Sequence, residues 1–154
     1  MIHLELDVDI KATPEAVFAG LTDWAAQGQW MLGTRVWVPE GASGRGIGGQ
    51  IAAFTGIAKL GFLDTMTITI WDEPRRVDVL HTGRVVRGTG TMIVEPHGPD
   101  RARFRWAEDL ELPLGVLGRI GWVFVKPGFV YGVRRSLHRF AALVEAGSLG
   151  RTRV

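Results

Sequence analysis

From Ile2 to Ile10 the chain alternates. Leu4, Leu6, Val8 and Ile10 fall on one side, and His3, Glu5, Asp7 and Asp9 on the other. A period of two predicts a strand with one face in a core. The pattern breaks at Ala12-Thr13-Pro14, where Thr13 can cap a helix whose first position is Pro14. Thr22 and Asp23 open a second short helix that stops near Gly28. Period-two patterning then returns and predicts strands near 34–38, 49–58, 64–71, 76–82, 84–95 and 101–112. Turn-forming residues join them, among them Asp72-Glu73-Pro74, Thr82-Gly83 and His97-Gly98-Pro99-Asp100. Near the end the period changes. Val130, Val133, Leu137, Phe140, Ala141 and Val144 recur at helical spacing, with Arg134, Arg135, His138 and Arg139 mostly opposite. Gly147 is a natural stop. Val116 to Val125 is predicted to be helical as well, with a kink or break at Pro127-Gly128.

The order is therefore a strand, two short helices, six strands and one long helix. A curved antiparallel seven-stranded sheet gripping a C-terminal helix fits it, an α+β architecture. One domain is expected over residues 1–147, with 148–154 as a tail.

Composition narrows the picture. The chain has 154 residues, 46% of them apolar and 22% charged, as in a globular domain. It has no cysteine, which removes disulfides, thiol catalysis and thiolate metal sites. The N-terminus lacks a basic region before its apolar positions and does not read as a signal peptide. The apolar run from Ile120 to Tyr131 is interrupted by Lys126 and Pro127 and is too short to span a membrane. A cytoplasmic location is expected. The net charge of +2 is too small to imply nucleic acid. The basic residues do gather late, at Arg119, Lys126, Arg134, Arg135, Arg139, Arg151 and Arg153.

Gly44, Gly46 and Gly49 spell G-x-G-x-x-G, the spacing of a dinucleotide-binding turn. That turn needs a helix after it, to face the pyrophosphate with its N-terminus. Here Ile51, Ala53, Thr55 and Ile57 continue at period two instead. No nucleotide and no other cofactor is expected. The histidines lack metal-ligand spacing.

Five stretches carry a resemblance: "VDIKATPEAVFAGLTDW", "DTMTITIWDEPRR", "HTGRVVRGTG", "RFRWAEDLELPLG" and "GVRRSLHRFAALVE". With them the chain resembles the START-like, or SRPBCC, helix-grip superfamily, and within it the polyketide cyclase/dehydrase type. The resemblance implies a cavity between sheet and long helix, with the glycine-rich loop at its rim. The superfamily contains carriers, cyclases and proteins of unknown role.

A two-residue turn at Thr82-Gly83 would pair His81 with Arg84 and Val79 with Val86. The inner face would then read Val77, Val79, His81, Arg84, Val86, Gly88, Gly90, Met92 and Val94. Carried across the next turn, this register sets Met92 beside Phe104, Gly90 beside Trp106 and Gly88 beside Glu108. On the other side it sets Ile70 by Val77, Ile68 by Val79 and Met66 by His81. Asp64, His81 and Arg84 would form a polar cluster, the candidate catalytic residues. Glu108 would lie roughly 13 Å from that cluster, too far for a dyad with His81. Arg84 beside His81 would keep the imidazole neutral at pH 7. The expected pocket lining is Trp30, Met66, Ile68, Val79, Val86, Gly88, Met92, Phe104, Trp106, Glu108, Trp122, Phe129 and Val133. Each polar candidate has a plainer reading. Asp64 and Arg84 fit a partly exposed ion pair, His81 a satisfied core histidine, and Glu108 a bulge residue or the partner of an arginine.

The leading expectation is binding of a small, largely apolar, aromatic or polyketide-like molecule. An alternative is an aromatase/cyclase or dehydratase, with His81 as base and Arg84 as the donor to an enolate oxygen. A third is an interaction protein docking through the basic face of the last helix.

Overall fold

The computed structural model describes residues 1–149. Strand β1 (Ile2–Ile10) buries Leu4, Val8 and Ile10 and turns its acids outward. Helix α1 (Pro14–Leu21) starts where expected: Thr13 Oγ1 accepts a hydrogen bond from the Ala16 amide at 3.3 Å. A 3-10 helix (Trp24–Gln29) follows. Six strands come next: β2 (Thr34–Trp37), β3 (Gln50–Ile57), β4 (Leu60–Asp72), β5 (Arg76–His81), β6 (Arg87–Pro96) and β7 (Ala102–Glu111). They form one antiparallel seven-stranded sheet in the order β1-β7-β6-β5-β4-β3-β2. Helix α2 (Gly115–Glu145) lies against it.

The core is the layer between sheet, α1 and the second half of α2. Phe140 contacts Trp30 and Phe104, with ring centroids 4.8 and 5.3 Å apart. Val133, Leu137, Phe140, Ala141 and Val144 are buried, whereas Val130 is only half-buried. Burying each of the large side chains contributes about 1.5–3 kcal/mol, more than each helix glycine costs, roughly 1 kcal/mol. That anchors the second half of α2. Its first half, residues 115–128, overhangs almost wholly exposed.

Three expectations are corrected here. Of the kink or break expected at Pro127-Gly128, the break does not occur; Pro127 lies inside one continuous helix. Residues 123–128 are all exposed, so water can satisfy the carbonyl that Pro127 leaves unpaired. The domain also continues past residue 147, because Leu149 is buried against the core and touches the position where Gly20 would carry a Cβ. The remainder of the expected tail, 150–154, with Arg151 and Arg153, lies outside the described residues. Finally, the loop from Gly44 to Gly49 leads into β3 with no helix, but it is not a cavity rim. Gly48 N–H donates to Ile68 C=O, and Gly49 C=O accepts from Ile68 N–H, both at 2.8 Å. Trp24 Nε1 donates to Gly44 C=O at 2.7 Å. The loop backs Trp24, and it is Trp24 that faces the cavity.

Candidate functional site

The register differs from the two-residue hairpin. Thr82 does not turn; its amide donates to Thr65 C=O at 2.7 Å and its hydroxyl bonds Thr65 Oγ1 at 2.9 Å. The chain runs on beside β4 before reversing, so His81 pairs with Gly88 and Val79 with Gly90. That is a displacement of four residues from the expected His81–Arg84 pair. An even displacement preserves the face, so Val77, Val79 and His81 still point inward. Arg84 is displaced into the exposed loop and does not line the cavity. On the next hairpin Met92 pairs with Trp106 and Gly90 with Glu108, two residues from expectation. On the other side Met66 pairs with His81 and Ile68 with Val79, as expected. A bulge between Ile68 and Ile70 then sets Trp71, not Ile70, beside Val77.

Together these shifts overturn the expectation that kept Glu108 away from His81. His81 on β5 and Glu108 on β7 flank β6, one row apart. The β6 residues between them are Gly88 and Gly90, so no side chain separates the two. His81 Nε2 reaches Glu108 Oε2 at 2.9 Å, and its Nδ1 reaches Asp64 Oδ2 at 2.7 Å. Asp64, His81 and Glu108 are 7, 9 and 8% exposed. Each carboxylate occupies space that a glycine leaves. A Cβ at Gly90 would stand 3.0 Å from Glu108 Oε1, and one at Gly83 would stand 3.1 Å from Asp64 Oδ1. Gly88, expected in the pocket, has a different role. Its φ is +128°, and a Cβ there would collide with the Asp109 carbonyl.

Charge follows from this geometry. Burial opposes a charged imidazole. Hydrogen bonds to Asp64 and Glu108, with their negative charges, outweigh it and push His81 up to about 10. The expectation of a neutral His81 is thereby reversed; it assumed a neighbouring arginine and met two carboxylates instead. Burial also raises the Glu108 carboxyl above its ordinary value, while His81 pulls it back. Both shifts favour keeping the proton between Nε2 and Oε2 at neutral pH. The three groups form a chain rather than a cage, and among the described residues none of the acid and histidine groupings could hold a metal ion.

The chain of polar groups sits in the wall of a cavity of about 310 Å³. Of the residues expected to line it, Trp30, Met66, Val79, Val86, Met92, Trp106, Glu108, Phe129 and Val133 do. Ile68, Gly88, Phe104 and Trp122 do not. Ile68 and Phe104 are filled in behind the wall, and Trp122 packs on Phe129 with centroids 5.5 Å apart. The remaining lining includes Trp24, Gln27, Ile51, Ala53, Thr55, Phe62, Leu110, Gly132 and Ser136. Ile51, Ala53 and Thr55 were visible in the alternation of β3. Ser136 had a signal too, as a polar residue beside the apolar stripe of α2. Its hydroxyl donates to Gly132 C=O at 2.9 Å and accepts from Leu32 N–H at 3.1 Å.

A half-barrel sheet around a long C-terminal helix, with a cavity between them, defines the helix-grip class. Residues 1–145 match the family described as "Polyketide cyclase / dehydrase and lipid transport", and the chain belongs to that family. Solved structures agree on the fold. A START superfamily protein from Mycobacterium smegmatis is 17% identical, with a TM-score of 0.70 and coverage of 92% of this chain and 98% of that one. The Zhui aromatase/cyclase from Streptomyces sp. R1128 is 16% identical, with a TM-score of 0.70 and coverage of 94 and 93%. A protein from Thermus thermophilus is 19% identical, with a TM-score of 0.71 and coverage of 96 and 99%. Among curated proteins, none matches this chain in sequence. No helix among the described residues is long and apolar enough to cross a membrane.

Proposed function

We propose that the protein encloses a small, largely apolar molecule between the sheet and α2. The observation that carries this reading is the cavity of about 310 Å³, whose wall is mostly apolar with one concentrated polar patch. That volume lies at the lower end of the range for sites that bury small ligands, roughly 300–1,000 Å³. The apolar wall supplies affinity, and the Asp64–His81–Glu108 chain supplies a fixed polar orientation point.

One observation favours acid–base chemistry as a second reading. Glu108 is a carboxylate whose affinity for protons burial has raised, and His81 engages only its Oε2. A base of that kind suits removal of a proton next to a carbonyl, the opening step of a cyclisation or dehydration. In this reading Glu108 takes the role that His81 was expected to have, and Arg84 takes none.

Gly132 offers the direct test. A Cβ there would meet nothing within 4 Å, and the residue lines the cavity. Gly132→Leu is expected to fill the cavity while favouring the helix by up to about 1 kcal/mol. Affinity for the uncharged probe N-phenyl-1-naphthylamine should fall at least about tenfold with the melting temperature unchanged or higher. Unchanged affinity in the folded variant refutes the cavity as the binding site. Turnover of a model poly-keto thioester by the native protein would select the enzymatic reading.

A further inference from the structure

We propose that the cavity-mouth end of this protein docks on an anionic lipid membrane surface through the overhanging half of α2. The lining residues Phe62, Val86, Leu110 and Phe129 are half-buried and Leu32 is exposed, and together they mark the mouth. The overhang of α2 extends from the same end of the sheet. Val116, Leu117, Ile120, Val123 and Phe124 recur there at i, i+1, i+4, i+7 and i+8, the spacing of one apolar helix face. Such a face normally lies in a core. Here all five are exposed, and among the described residues nothing covers them. The hairpin between β3 and β4 adds Ile57 and Leu60, each 84% exposed, at the same end of the sheet.

Two properties of the overhang argue that it meets a surface. Gly115, Gly118, Gly121, Gly128 and Pro127 are poor helix formers, so intrinsic propensity does not hold this segment. Charge then selects the surface. From Leu112 to Val144 the sequence has no Asp or Glu, but has Arg119, Lys126, Arg134, Arg135 and Arg139. None of these makes an ion pair among the described residues. Around the helix, Arg134 and Arg135 continue the stripe begun by Val116 and Leu117. The solvent side of α2 thus has an apolar tip and a basic shoulder. An apolar tip enters the acyl boundary while cations meet anionic head groups. A second copy of this chain would set one basic shoulder against another. The helix lies on the membrane and does not span it, and the mouth then opens toward the lipid.

The test is co-sedimentation with vesicles of phosphatidylcholine mixed with phosphatidylglycerol, and with phosphatidylcholine alone. Binding is expected to the mixed vesicles only, to weaken with added salt, and to fall about tenfold or more in Leu117→Gln/Phe124→Gln. Those side chains are 73 and 81% exposed, so the variant should keep its melting temperature. Failure to bind mixed vesicles overturns the proposal, as does equal binding to both kinds, or binding that the double variant leaves unchanged. A dimer that the double variant dissolves, without vesicle binding, assigns the face to a second copy instead. None of these outcomes depends on what fills the cavity.

Discussion

In His81→Leu, the folded state is expected to lose about 3–5 kcal/mol at pH 7, a fall in melting temperature of roughly 10 °C or more. Leucine fills similar space and leaves the sheet register alone, so the loss comes from charge. The imidazolium is the cation between two buried carboxylates, 2.7 Å from one and 2.9 Å from the other. Without it, Asp64 and Glu108 face each other across the width of one side chain. Two like charges in a dry site cannot both persist, and one carboxyl takes up a proton at the expense of folding. The loss should therefore shrink as pH falls into the carboxyl range. Adding Glu108→Gln should recover part of it, because one orphan charge is removed. A non-additivity of more than about 1 kcal/mol is expected between the two substitutions. Urea unfolding of the two single variants and the double variant checks this. A His81→Leu loss below about 1 kcal/mol would mean that the three residues are not coupled by charge.

Stability of the native protein is expected to fall as pH rises from about 6.5 to about 10. The folded imidazole is pushed up to about 10 from an ordinary value of 6.5. A raised folded value means that the folded chain binds a proton that the unfolded chain has released. The contribution of His81 is thus complete below 6.5 and lost as pH climbs through the folded value. The slope should approach about 1.4 kcal/mol per pH unit at its steepest. Glu108, also raised in the folded state, acts with the same sign from its ordinary value of 4.5 upward. His3 is raised by Asp109, but it is fully exposed and adds little. Urea midpoints across this range, with His81→Gln as the comparison, read the effect. A flat profile, or stability that rises with pH, contradicts it.

Much of the fold was legible because period does not depend on register. The alternation of β1, the Thr13-Pro14 helix start and the Val133–Val144 stripe each fix an element locally. The site was half legible for a related reason. The even periodicity placed His81, Val79 and Met92 on the inner face whichever even register held. Distances along that face depend on where a hairpin reverses, and Thr82-Gly83 reads as a two-residue turn. Its reversal is delayed by Thr82 pairing with Thr65, a contact between residues 17 apart that no local pattern announces. In sequence the glycines at 88 and 90 show only as inner-face positions without side chains. They are the gap through which His81 bridges to Glu108. The apolar overhang of α2 was read as helix, but its exposure depends on where the sheet ends.

The most direct test of the buried Asp64–His81–Glu108 chain is nitrogen-detected NMR of the His81 ring. With both ring nitrogens hydrogen-bonded to carboxylates, Nδ1 and Nε2 should each carry a proton at pH 7, and the imidazolium signature should persist until pH approaches about 10. A neutral ring at pH 7, with one protonated nitrogen and titration below 6.5, would contradict the account.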